Sequence, residues 1–82
     1  MSRIRKLTER FLTNPKSLHY RQLEKVLTHL GFLKITAKGS HNKFKHKKLA
    51  QDLIIPIHNN DCKEFYKELA KKIVIANNLH KP

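Results

Sequence analysis

Ile4, Leu7 and Phe11, with Leu12 beside them, recur at three- and four-residue intervals among Arg3, Arg5, Lys6, Glu9 and Arg10. This pattern predicts a short helix, and it ends before Asn14-Pro15 because proline disfavours helical geometry in the preceding residue. Tyr20, Leu23, Val26, Leu27 and Leu30 form a clearer apolar stripe, separated by Arg21, Gln22, Glu24 and Lys25. His19 or Ser17 is placed to cap its start. Gly31 suits the left-handed residue that closes a helix, with Phe32 folding back onto Leu27.

From Leu33 the period changes to two. Leu33, Ile35 and Ala37 alternate with Lys34, Thr36 and Lys38, which predicts a half-buried strand with the apolar set inward. Lys38-Gly39-Ser40 reads as a turn. A second strand over 41–46 puts Phe44, its core anchor, and Asn42 on one face, and His41, Lys43 and Lys45 on the other. Residues 52–57 are rich in β-branched side chains and predict a third strand, with Pro56 favouring a sheet edge. Asp61 and Glu64 have the spacing of a capping box before a last helix through Phe65, Leu69, Ile73 and Ala76, ending near Asn77. Acid early and base late in that helix suit its dipole.

The order helix, helix, three strands, helix predicts an α+β fold, a three-stranded antiparallel sheet covered by helices on one face. It reads as one domain over 1–82, with 1–13 as a short N-terminal helical extension and 14–77 as the core. Pairing Phe44 with Ile55 leaves a four-residue connection at 48–51. His41 then faces His58 on the uncovered side, which also carries Lys34, Lys38, Lys43 and Lys45. A slip of one residue would reverse every side chain.

Charge narrows the partners. The 82 residues hold 18 Lys and Arg against 6 Asp and Glu, a net charge of +12. No acidic residue lies between Glu24 and Asp52, whereas Lys25, Lys34, Lys38, Lys43, Lys45, Lys47 and Lys48 all do. A polyanion is the natural partner. Cys62 is the one cysteine, so neither an intramolecular disulfide nor a cysteine-rich zinc site is available, and a cytoplasmic location fits best. The N-terminal residues lack the continuous apolar run of a signal peptide or membrane span. So short a chain has little room for a cofactor cavity, and the histidines show no i, i+4 pair for a metal. Neither cofactor nor metal is expected.

The uncovered face would bring imidazoles among ammonium groups. Cleaving RNA requires a proton to leave the 2′-hydroxyl, a proton to reach the departing oxygen, and stabilisation of a charged phosphorane. Histidine serves either transfer near neutral pH, and lysine serves the charge. His41 is the catalytic candidate and His58 the candidate second group. Lys34, Lys38, Ser40, Lys43 and Lys45 are candidate RNA-binding residues, and Gly39 permits the turn. His19, His29 and His80 read as surface polar residues, His46 as structural or loop-associated, and Cys62, without a defined base, as structural. A non-catalytic RNA-binding module would use the same basic sheet. A DNA-binding regulator fits less well, since no helix-turn-helix pair is apparent.

Leu30-Gly31-Phe32, then Lys38-Gly39-Ser40-His41-Asn42-Lys43-Phe44, then Ile54-Ile55-Pro56-Ile57-His58, together resemble the HicA family of mRNA interferase toxins over about 14–75. The resemblance implies a double-stranded-RNA-binding-domain-like α-β-β-β-α fold that cleaves messenger RNA, and a cognate HicB-type antitoxin that occludes the active face. It places the family's catalytic histidine, in its Gly-Ser-His motif, at His41. Ser40 then either orients His41, contacts phosphate or simply completes the turn. The loop after His46 lacks a glycine often present in the family, and Asn59-Asn60-Asp61 leads unusually directly into the last helix.

Overall fold

The computed structural model describes residues 2–36 and 39–81. The chain runs α1 (Arg3–Thr13), a single 3₁₀ turn (Pro15–Ser17), α2 (Tyr20–His29), β1 (Leu33–Thr36), β2 (His41–Lys45), β3 (Leu53–Pro56) and α3 (Glu64–Ala76). The sheet is antiparallel in the order β1-β2-β3. The fold is therefore α+β with an α-β-β-β-α core, preceded by a helix that buries Phe11 completely.

Local chemistry accounts for the helix ends. Nδ1 of His19 accepts the Arg21 N–H at 3.1 Å, and the Gln22 side chain accepts the His19 N–H at 2.9 Å, a reciprocal cap at the start of α2. At its other end Gly31 has φ +99, and the N–H groups of Gly31 and Phe32 donate to the carbonyls of Thr28 and Leu27. This is the predicted Schellman ending. α3 ends the same way, with Asn78 at φ 55 and the N–H groups of Asn78 and Leu79 donating to Ile75 and Val74. Asparagine tolerates the left-handed position better than most residues.

Gly31 carries a second constraint. A Cβ built there would lie 3.0 Å from Nε2 of His46, whose ring is held on both sides. Its Nε2–H donates to the Leu30 carbonyl at 3.1 Å, its Nδ1 accepts the Lys48 N–H at 3.1 Å, and it meets Phe32 edge-on at 4.9 Å. Gly31→Ala should therefore cost about 2 kcal/mol, from left-handed strain plus displacement of a bonded ring, and chemical denaturation would read it directly. A variant as stable as the parent would show that the ring yields freely.

The core joins the helices to one face of the sheet. Phe44, Leu53 and Ile55 are buried with Leu23, Val26 and Leu27 of α2 and Ala70 and Val74 of α3. Burying these side chains in place of water supplies the main folding drive, roughly 1.5–3 kcal/mol for each large one.

Four predicted details differ. In β1 the parity is inverted: Leu33 and Ile35 pair across from Lys45 and Lys43 on the uncovered face, while Lys34 pairs across from Phe44 on the covered one. The β2–β3 register is offset by two residues, with Phe44 opposite Leu53 and His41 opposite Pro56, leaving the longer connection 46–52. An offset of two preserves which face each residue occupies but separates the expected His41–His58 pair. The N-cap of α3 is Lys63, without a side-chain cap, in place of Asp61. Finally, α3 buries Lys67, Ala70 and Val74, leaving Phe65, Ile75 and Ala76 exposed. Leu69 and Ile73 of the predicted stripe still pack, half-buried, against the core, so the buried face is rotated from that stripe and takes in Lys67, Ala70 and Val74.

Candidate functional site

The uncovered face is organised by β2, the central strand. His41, Lys43 and Lys45 alternate onto it, with His41 and Lys45 exposed and Lys43 half-buried. Beside them lie Leu33 and Ile35 of β1 and Ile54 of β3, all exposed, Leu33 to 63%. A basic row with one imidazole is therefore flanked by aliphatic surface. Sequence reasoning missed the aliphatic flanks because it turned Leu33 and Ile35 inward; their pairing opposite Lys45 and Lys43 decides their side.

Among the described residues His41 makes no side-chain hydrogen bond or ion pair. It opens β2 directly after the turn residues Gly39, at φ 78, and Ser40. No side chain within 4 Å would meet a Cβ at Gly39, so its backbone conformation is the whole demand for glycine there. The Ser40 carbonyl accepts the Ile57 N–H at 2.6 Å, tying this turn to the end of β3. Lys38 lies outside the described residues.

Two predicted members are elsewhere. Lys34 projects to the helix-covered side, where its ammonium pairs with Glu24 of α2. His58 lies two residues beyond the end of β3, exposed, opening a two-residue hairpin with Asp61. Asn59 and Asn60 form that hairpin's loop at φ 53 and 64, the left-handed pair a tight primed turn requires.

Behind β2 a polar chain fixes the strand next to His41. The Asn42 amide donates to the Tyr20 hydroxyl at 2.7 Å, and that hydroxyl donates to Glu24 at 3.3 Å. With the Glu24–Lys34 pair, the chain links β2, α2 and β1. Burial pushes the Tyr20 phenol up to about 12; the Asn42 bond pulls against this and Glu24 adds to it. A raised phenol stabilises the fold fully below the ordinary value near 10, and that contribution disappears as pH climbs toward about 12. Alkaline unfolding should therefore lose this dependence in Tyr20→Phe, at a cost near neutral pH of about 1 kcal/mol for the lost hydroxyl bonds. An unchanged alkaline profile would remove Tyr20 from that role.

Cys62 is buried, and burial pushes its thiol up; Lys67 draws it down and Asp61 opposes that. It is a core residue in a setting that disfavours a thiolate. Among the described residues no group of three or more His, Cys, Asp or Glu side chains could hold a metal ion, and no helix is long and apolar enough to cross a membrane.

Fold and surface together define a small α+β domain that presents a basic, histidine-bearing strand on an open sheet. The family model described as the HicA toxin of bacterial toxin-antitoxin matches residues 20–76, well over half of the chain. The chain belongs to the HicA toxin family, the toxins of bacterial toxin–antitoxin systems. Neither the curated proteins nor the solved structures contain a match.

Proposed function

We propose that this toxin is a metal-independent endoribonuclease that cuts single-stranded messenger RNA on the open sheet, with His41 as the proton-transfer group. The observation that carries the reading is the alternation of β2, which sets the His41 imidazole in one row with the Lys43 and Lys45 ammonium groups in a HicA-family chain. In the reaction the 2′-oxygen forms a bond to phosphorus as the bond from phosphorus to the 5′-oxygen breaks. The 2′-hydroxyl gives up its proton, and the departing oxygen gains one. His41 performs one transfer; with Pro56 across from it in place of His58, water performs the other. Lys43 and Lys45 hold the negative phosphate oxygens, and Leu33, Ile35 and Ile54 offer aliphatic surface to the bases.

The same surface explains inhibition. An acidic HicB-type antitoxin covering the open face would remove Leu33, Ile35 and Ile54 from water and His41 from RNA, and its approach would be steered by the net charge. The defining experiment incubates the purified toxin with single-stranded RNA in EDTA. Products ending in 2′,3′-cyclic phosphate, and no cutting of a 2′-deoxy substrate, are expected; RNA binding without cleavage would instead identify the non-catalytic module.

A further inference from the structure

Far from His41, α2 and α3 end at one corner of the molecule. Between them and the loop after β2 lies a cleft of about 630 Å³ lined by His29, His46, Lys47, Lys48, His80 and Lys81, with Leu30, Gly31 and Leu79. Among the described residues no carboxylate lines it, and Lys47, Lys48 and Lys81 make no ion pair. Nδ1 of His80 is shut off from solvent without a hydrogen-bond partner. That atom lies beneath the surface, while the half-buried His80 ring lines the cleft.

Two helix C-termini would ordinarily repel an anion. Here several of their terminal carbonyls are occupied: Leu27 and Thr28 accept from Phe32 and Gly31, Leu30 accepts from His46, and Val74 and Ile75 accept from Leu79 and Asn78. Around them the cleft presents the Lys47, Lys48 and Lys81 ammonium groups. Lys47 and Lys48 sit in the turn that follows β2, and Lys47 is at most roughly 20 Å along the chain from His41.

We propose that this cleft is a second phosphate site, which takes the backbone of single-stranded RNA several nucleotides away from the bond at His41. The inference rests on the RNA substrate proposed above and adds a second point of attachment to it. A strand long enough to reach both ends would be bound more tightly than a short one, and its position along β2 would be fixed at two places.

Binding measured over a range of salt tests the site without cleavage, using proteins that all carry His41→Ala. Against an RNA of about 12 nucleotides, adding Lys47→Ala, Lys48→Ala and Lys81→Ala should lower the slope of log affinity against log salt by about 2, at roughly 0.7 per phosphate contact. With an RNA of about 4 nucleotides bound at the open face, the slope should hardly change. Removing the same charge elsewhere, through Lys6→Ala, Lys16→Ala and Lys63→Ala, should leave the slope for the longer RNA near the parent's. Equal slopes for parent and cleft variant, an equal fall in the control variant, or no binding of the longer RNA would overturn the site. A lowered slope specific to the cleft variant, found beside a wild-type toxin that cuts no RNA, would uphold the site and sink the catalytic reading.

Discussion

Replacing His41 by alanine is expected to reduce RNA cleavage by about 10²- to 10⁴-fold, the range over which a positioned proton-transfer group accelerates a reaction. The fold should hardly register the change. His41 is exposed at the start of β2 and has no side-chain bond among the described residues, so stability should stay within about 0.5 kcal/mol of the parent. That separation of effects makes the experiment informative. RNA affinity should fall only slightly, because Lys43 and Lys45 still meet the phosphates. Cleavage and binding measured on the same preparation, with melting as a control, check all three. Full activity in the alanine variant would remove His41 from the chemistry, whereas His58→Ala should leave most activity in place, since His58 is beyond the strand and not across from His41.

Asp61 should give the largest effect on stability. Its carboxylate accepts the N–H groups of Tyr20 at 3.0 Å and Cys62 at 2.8 Å and receives the Lys67 ammonium at 3.3 Å. It therefore caps α2 from 41 residues away and supplies the counter-charge for a lysine whose side chain is only 6% exposed. Asp61→Ala would leave that ammonium buried and alone. We expect a loss of about 2–3 kcal/mol, below the full value for a buried pair because water reaches the half-exposed carboxylate, and a fall in melting temperature on the order of 10 °C.

The same carboxylate predicts an acid response. Burial pushes it up, but the N–H groups of Cys62 and Tyr20 and the Lys67 ammonium outweigh burial and hold it below the ordinary carboxylate value. A group lowered in the folded state contributes its stability above the unfolded value, near 4, and loses it as pH falls through the folded one. Wild-type stability should therefore drop in acid below about pH 4, and Asp61→Asn should lack that part of the slope. Parallel acid denaturation curves for the two proteins would rule this out.

Most elements were legible in the sequence because local rules fixed them. Tyr20, Leu23, Val26 and Leu27 can share a face only on a helix, and Gly31 with Phe32 marks its end through backbone geometry that needs no distant partner. The alternation of 41–45 similarly determined that His41, Lys43 and Lys45 share a side. Where several partners compete, periodicity was silent. Strand β1 alternates equally well either way round, and Lys34 turned inward because Glu24 on α2 offers a counter-charge there. Asp61 has the right spacing to cap its own helix, yet the Tyr20 N–H and the buried Lys67 satisfy it better.

The sequence by itself thus determined an α+β chain with one strand carrying an imidazole between lysines, since alternation and capping act within a few residues. Only the tertiary structure decided what surrounds that strand: aliphatic Leu33, Ile35 and Ile54 beside it, Pro56 opposite His41, and a cationic cleft where α2 and α3 end together. These depend on register and on which distant charges meet. Both are set by competition between contacts far apart in the chain, and no local pattern records the outcome.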